Sequence, residues 1–506
     1  MTVIQKPTYL DDVLAGFGMF KTYHRQLILF FALAYASNSA YCSNFIFIAE
    51  EVSYSCKDDE SNNNTCSAAC SEWIYEKPDS FVGEFQLACH DWKRTLVGTV
   101  HSLAYMVGLL FVGPMSDRLG RKAALVITGV LGGVMGLARS FTPWYWMYIV
   151  LEFLESAIGD SCSPVYVLNV EIIQTKRRVP YYFICALGYS FGGIFLASTA
   201  WLVPYWRDQL RVIYAPALLF ILYLFVIDES PRWLLIRGER EKAIEVVQKM
   251  SKKNDVKVEK CVLDNLICET EKGVSFGDLL KSTFSSKTLF IRFVVCVVWW
   301  TTSTFVNYGM TINSVSLQGN KYLNYMLMCV IEIPANFVIM YILMRFRRKM
   351  PLIVCFLSAG VFCIVQPFLP NNLPWLSVTT FMAGKFTASL YFSITYMYTS
   401  ELFPTYTRNS MHALCSSLGR IGSIVAPQTP LLRVYWVGLP SLIFGITSII
   451  AGLVTFIVPD ISNDSLPDTV RQAEELGTKE KEIPVISFIT TNDIDLKKRV
   501  NKEDKF

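Results

Sequence analysis

Charge is scarce in this sequence. Asp, Glu, Lys and Arg make up 17% of its 506 residues, against roughly 25% in an ordinary soluble domain. Apolar residues make up 52%, and a soluble protein of this length would need a far more polar surface. The charges nearly cancel, at a formal net +4, and no basic tract is long enough to grip nucleic acid. Histidine is rarer still. His24, His90, His101 and His412 are scattered, and no nucleophile–base set, metal cluster or phosphate loop is visible. This argues against an enzyme and implies no cofactor and no metal. The N-terminal stretch has no basic region followed by an apolar core, so no cleaved signal peptide is expected and the first apolar helix should direct insertion.

What is abundant is long apolar runs. About 20 such residues cross a bilayer core of roughly 30 Å. Runs of that kind lie near 26–49, 95–115, 123–141, 144–170, 181–203 and 210–228, then near 288–309, 321–344, 350–369, 375–398, 409–428 and 437–458. The reading is an all-α membrane protein of twelve spans in two six-helix halves. Its parts are an N-terminal segment 1–25, a first half 26–228, a charged loop 229–287, a second half 288–458 and a tail 459–506. In the loop, Ala243, Val246, Val247 and Met250 recur at helical spacing, which predicts a short helix lying on the membrane domain.

The basic loops "SDRLGRK", "QTKRRV" and "RFRRK" fall on alternate turns, so they read as cytosolic, with both termini on that side. The loop at about 50–94 is then extracellular. It holds Cys56, Cys66, Cys70 and Cys89, an even set suited to disulfides whose pairing stays open. It also holds Asn63 in a glycosylation sequon, usable only on the lumenal side. The remaining cysteines read as small buried hydrophobes.

"GPMSDRLGRK" at 113–122 is the strongest local motif. Gly113 permits close helix approach, and Asp117 can accept bonds from a neighbouring helix N-terminus. Arg118, Arg121 and Lys122 hold the turn in the cytosol and can pair with acids across an inner gate. This pattern resembles the signature of the major facilitator superfamily, and "ESPRWLL" at 229–235 narrows the resemblance to sugar porters and organic ion transporters. The seventh helix lacks the paired glutamines of a sugar porter. The segments 319–339, 384–409, 420–427 and 466–469 resemble those of the organic cation/carnitine transporters.

The resemblance implies a plasma-membrane carrier of small organic ions that works by alternating access between two rocking halves. It also implies a cytosolic gate of Gly113, Asp117, Arg118, Arg121, Lys122, Glu229, Arg232 and Glu401. An organic anion carrier, a sugar porter and a transport-inactive receptor are the alternatives; sodium or proton coupling and oligomeric state stay open. Two departures stand out. The second-half repeat of the loop motif reads "MRFRRK", with Met344 where relatives place Asp, and the 50–94 loop is shorter than in vertebrate members, which suggests an invertebrate-like branch.

Charges at mid-depth mark a candidate substrate site, because isolated charge there is expensive. They are Arg420, Lys385 and Glu332, with Glu152, Glu155 and Asp160 on helix four. Glu152 and Glu155 share a face, and internal ion pairing is the plain alternative for them. By resemblance, the Glu332 position is acidic in cation carriers and the Arg420 position is basic in anion and carnitine carriers, so together they fit a zwitterion. Trp300 and Tyr308, within about 80° of each other on one helix, and Tyr391 and Tyr396 would add aromatic faces for an ammonium.

Overall fold

The computed structural model describes residues 8–57, 66, 70, 72–174, 177–258, 266–267, 286–370, 372–403 and 408–460. Within them the apolar runs become helices. Spans one to six are Thr22–Ser43, Asp91–Leu119, Arg121–Arg139, Tyr145–Ile158 continued by Cys162–Ile172, Arg178–Leu202 and Trp206–Val226. Spans seven to twelve are Lys287–Asn313, Lys321–Arg345, Lys349–Val365, Pro374–Glu401, Arg408–Val425 and Leu439–Val454. By length and apolar composition alone, eight of these qualify as membrane crossings. The other four are spans one, four, ten and eleven. Span four falls short because it is broken into helices of 14 and 11 residues, and the other three carry polar groups along their length, among them Asn38, Lys385 and Arg420.

Two hydrophobic cores form. One gathers side chains almost entirely from the first six spans, and the other from spans seven to twelve. In the first half, span one lies along span five and span two along span four; in the second, span seven lies along eleven and span nine along ten and twelve. Small residues set the closest approach. A Cβ on Gly188 or Gly192 of span five would run into the backbone of Ala32 and Ala36 in span one, the small-xxx-small arrangement by which helices touch without a water-driven force. The halves meet where span five packs on eight and span two on eleven.

Span four differs from the single run at 144–170. It breaks between Ile158 and Cys162. Asp160 causes the break by acting as a local cap: its carboxylate accepts the Cys162 amide at 3.0 Å and the Ser163 amide at 3.3 Å, satisfying donors a new helix start leaves open. The charged loop forms helices Pro231–Ile236 and Arg240–Asn254, the latter burying Ala243, Val247 and Met250. Thr8–Tyr9 pairs in parallel with Leu266–Ile267. At the other end, the loop after span one carries a hairpin, Tyr54–Cys56 against Trp73–Tyr75, closed by disulfides Cys56–Cys70 and Cys66–Cys89.

Candidate functional site

The mid-depth charges resolve into two unlike arrangements. Lys385 of span ten is buried and fully engaged. Its ammonium stands 3.0 Å from Glu332 of span eight and donates to Asn307 Oδ1 at 2.5 Å and Thr311 Oγ1 at 3.2 Å on span seven. Lys385 thereby ties three helices, and Glu332 keeps 28% of its side chain exposed. Arg420 has no such partner. Among the described residues no carboxylate lies within 4 Å of its guanidinium. It donates to the Tyr308 hydroxyl at 3.4 Å and lies 4.9 Å from the centre of the Tyr105 ring, a cation–π contact from span two across to span eleven. Asp160, at the break of span four, is within its Coulombic reach.

Below Arg420, Gly419 packs against Trp300. The Trp300 indole donates to Thr399 Oγ1 at 3.1 Å and meets Tyr396 and His412 edge-on at 5.8 and 5.3 Å. Tyr396 is 41% exposed. The structure thus links Arg420 to Tyr308 directly and, through its neighbour Gly419, to the buried Trp300 and the half-exposed Tyr396, while Lys385 and Glu332 form a pair of their own. Tyr391 stands apart: it is buried and stacks on Phe356 of span nine with ring centres 4.2 Å apart. Sequence reading passed over Tyr105 and His412. The signal for Tyr105 was its position one turn from His101 on span two, facing the same way.

Glu155 belongs to a separate buried group in the first half. Arg139 of span three forms an ion pair with Glu152 and stands 3.7 Å from Glu155. His101 Nδ1 lies 2.8 Å from Glu152 and 4.0 Å from Glu155. Arg139 also donates to the Tyr214 hydroxyl at 2.5 Å and lies over the Tyr148 and Tyr214 rings.

At the end opposite the disulfide loop, the signature motif builds a clasp. Arg121 Nη2 and Nε reach Glu171 at 3.0 and 3.1 Å, and Nη1 donates to Asp117 at 2.9 Å and to the Ser116 carbonyl at 3.0 Å. Gly120 turns the chain at φ 101°, a backbone geometry that suits glycine. The helix-N-terminus role expected of Asp117 is filled instead by Glu229, which accepts the amides of Arg121 at 2.9 Å and Lys122 at 3.2 Å. Burial pushes the Glu229 carboxyl above its ordinary range, against the pull of those amides and of Arg121. Arg232 pairs with Asp11 at 3.1 Å, and Arg237 donates to the Arg118 carbonyl at 2.5 Å. A Cβ on Gly113 would meet open space. These contacts tie the first half to its own loop. Glu171, which sequence reading missed, ends the second piece of span four just before a basic loop. The second half repeats the clasp once: Arg348 meets Glu401 at 3.2 Å, with Met344 74% exposed in place of a second acid.

At the disulfide-loop end the halves are pinned together. Thr95 donates to Gln428 at 2.9 Å and Gln428 donates to Thr99 at 2.6 Å. Glu50 holds Lys321 across the halves and Lys77 within the loop, and Trp201 stacks on Tyr322 at 5.7 Å. A cavity of about 220 Å³ lies there, lined by Phe47, Glu50, Arg94, Lys321 and Pro430 among others. The glycosylation candidate Asn63 and the segment 466–469 lie outside the described residues.

The model of the Major Facilitator Superfamily matches residues 27–427 and 308–492. The chain is 30% identical to Solute carrier family 22 member 3 of Mus musculus over 83% of its length and 76% of the relative's. It is also 30% identical to the Organic cation transporter protein of Drosophila melanogaster, over 83% and 78%. Among solved structures it resembles the partially occluded, inward-open xylose transporter XylE from E. coli, with a TM-score of 0.62 at 16% identity, over 90% of this chain and all of that one.

Proposed function

The chain belongs to the Major Facilitator Superfamily and, within it, to the solute carrier family 22 proteins, and from that membership we propose that it is a plasma-membrane carrier of small organic cations and zwitterions. It works as a secondary transporter, moving organic ions by alternating access with no covalent chemistry. The disulfide loop would face outside, and the clasp and both termini the cytosol, as the basic loops require. In that orientation the Thr95–Gln428 and Glu50–Lys321 contacts close the outer end. The inner gate would comprise the Arg121 clasp with Glu229 and Arg232, and Arg348 with Glu401.

The observation that carries the substrate reading is the contrast between two buried cations. Lys385 spends its charge on Glu332, Asn307 and Thr311. Arg420 keeps its charge for a ligand, flanked by Tyr105 and Tyr308. An anionic group on the substrate would sit on Arg420. An ammonium would lie against Trp300, Tyr396 and the exposed edge of Glu332, each aromatic face contributing about 0.5–2 kcal/mol. Charged substrates also feel the membrane potential, at about 2.3 kcal/mol per charge per 100 mV, so cation uptake needs no coupled ion.

Uptake in cells expressing the chain tests this, with carnitine, β-alanine, an imidazole amine, a quaternary ammonium and a dicarboxylate, with and without sodium. Arg420→Ala should lower carnitine and β-alanine uptake at least about tenfold, the loss of a charge-assisted contact worth roughly 1.5–3 kcal/mol. Carnitine and β-alanine uptake that ignores Arg420→Ala, or strong uptake of the quaternary ammonium with none of either zwitterion, would refute the zwitterion assignment. Uptake of the dicarboxylate alone would make this an anion carrier, and binding without any uptake would make it a receptor.

A further inference from the structure

The cavity at the disulfide-loop end holds more cations than acids. Arg94 of span two, Lys321 of span eight and Arg433, in the turns that follow span eleven, line it together with Glu50 and Glu51. Glu50 is shared between Lys321 and Lys77. Glu51 reaches Arg94 at a loose 3.6 Å, with 70% of its own side chain exposed. The Arg94 side chain is 12% exposed. Among the described residues its buried Nε has no hydrogen-bond partner, a costly state for a donor. Among the same residues no carboxylate lies within 4 Å of Arg433. The rest of the wall is largely apolar, with Ile312 from span seven facing Phe45 and Pro427. Phe45 and Pro427 also make a floor. Both crowd the place a Cβ would take on Gly98 of span two, and the Phe45 ring lies 5.9 Å from that of His101, one turn deeper. Tyr105, which carries the contact to Arg420, stands about 16 Å further along span two than Arg94, at 1.5 Å per residue. The cavity is therefore separate from the mid-depth charges.

We propose that this cavity is a binding site for a small organic monocarboxylate with an apolar body, and that its occupant holds the disulfide-loop end shut. The carboxylate takes the open Nε–H of Arg94 and the unpaired guanidinium of Arg433, the charge-assisted contacts an arginine makes best. The body lies against Phe45, Ile312 and Pro427, an apolar wall with a few placed polar groups being the usual make-up of a ligand pocket. At about 30 Å³ per water the 220 Å³ cavity equals on the order of seven waters, room for a carboxylate on an aromatic body. A cation would meet an excess of like charge, so this ligand class differs from the organic cations proposed for the mid-depth site. Glu51, at the lining and 70% exposed, opens the cavity to solvent, and that solvent is the outside in the orientation proposed above. Arg94 and Phe45 belong to the first half, Arg433 and Ile312 to the second. An occupant touches all four only while the halves are joined there, and a ligand that favours one form shifts the balance towards it.

The test uses the purified full-length protein and radiolabelled 2-naphthoate in equilibrium dialysis. Saturable binding is expected, with 2-naphthamide and 2-naphthylmethylamine, which share the rings but not the carboxylate, displacing it at least about tenfold less well. Arg433→Gln and Arg94→Gln should each weaken binding about tenfold or more, the loss of a charge-assisted contact. Arg433→Lys, which keeps the charge, should retain most of it, and Arg420→Ala should leave it unchanged. No saturable binding, undiminished binding in Arg433→Gln, or equal displacement by the amide overturns the site; loss in Arg420→Ala places the ligand at mid-depth and overturns it too. Ser316→Cys puts a thiol on the cavity wall, and naphthoate should slow its reaction with a membrane-impermeant maleimide in step with occupancy. An unslowed reaction removes the ligand from the cavity. For the closing role, external naphthoate should slow tetraethylammonium uptake by cells expressing the chain, with its midpoint at the dialysis constant and no effect in Arg433→Gln. Uptake indifferent to saturating naphthoate overturns that role. If no organic cation is carried, the carrier reading falls and the closing role with it, while dialysis and labelling still decide the site.

Discussion

Lys385 and Arg420 have the same formal charge, yet their neighbours give them opposite tasks, and mutation should separate them. Lys385→Ala leaves Glu332 without its cation, and breaking a buried ion pair costs about 3–5 kcal/mol. With 28% of Glu332 exposed, the low end of that range is expected. Thermal unfolding of the purified protein should show a clear loss for Lys385→Ala that Lys385→Ala/Glu332→Ala substantially recovers; no recovery would mean that Lys385 stabilises through Asn307 and Thr311 instead. Arg420→Ala removes an unpaired charge and should leave the unfolding temperature within a few degrees while abolishing zwitterion uptake. Sequence reading located these charges because depth along an apolar run is countable. It could not say which were partnered, since Glu332, Lys385 and Asn307 are brought together from three helices by packing alone. For the same reason helix period put Tyr391 on span ten but could not tell that its ring faces span nine.

Helices were the most legible level, since length and hydropathy decide whether a segment can cross a bilayer. The break in span four was not, because the short polar stretch "SAIGDSCSP" lies between segments apolar enough for the whole to read as one run; the capping geometry of Asp160 reveals it. Asp160→Leu should rejoin the two pieces and uncap the second, at a cost of about 0.5–2 kcal/mol for the cap alone. It would also remove a carboxylate that acts on Arg420 through space. The expected outcome is a stable protein with impaired transport, and normal uptake by Asp160→Leu would show that the break does not matter to the substrate path. Between helices, Gly188→Leu should fail outright, because span five cannot move away from Ala32 without unpacking the first core. Surface expression would measure this, and normal expression would refute the close approach as a requirement.

Across the whole molecule, a handful of contacts hold the disulfide-loop end shut. Hydrogen bonds of this kind contribute about 0.5–1.5 kcal/mol each. Gln428→Ala, which removes two, should therefore shift the balance between end-closed and end-open forms by roughly tenfold. A cysteine introduced as Ser316→Cys, on the wall of the nearby cavity, would react faster with a membrane-impermeant maleimide in the Gln428→Ala background. An unchanged rate would mean that Glu50–Lys321 and the Trp201–Tyr322 stack suffice.

The clasps at the far end have an uneven build. Arg121 is gripped by two acids and a carbonyl, while Arg348 meets one acid and the Leu343 and Phe346 carbonyls, with Met344 standing where the second acid would be. Two pseudo-equivalent halves descended from one plan therefore have unequal tolerance of heat. On warming, the turn between spans eight and nine should fray before its counterpart between spans two and three, with earlier deuterium uptake and earlier cutting by protease. Met344→Asp, which restores the missing acid, would bring the two melting points together.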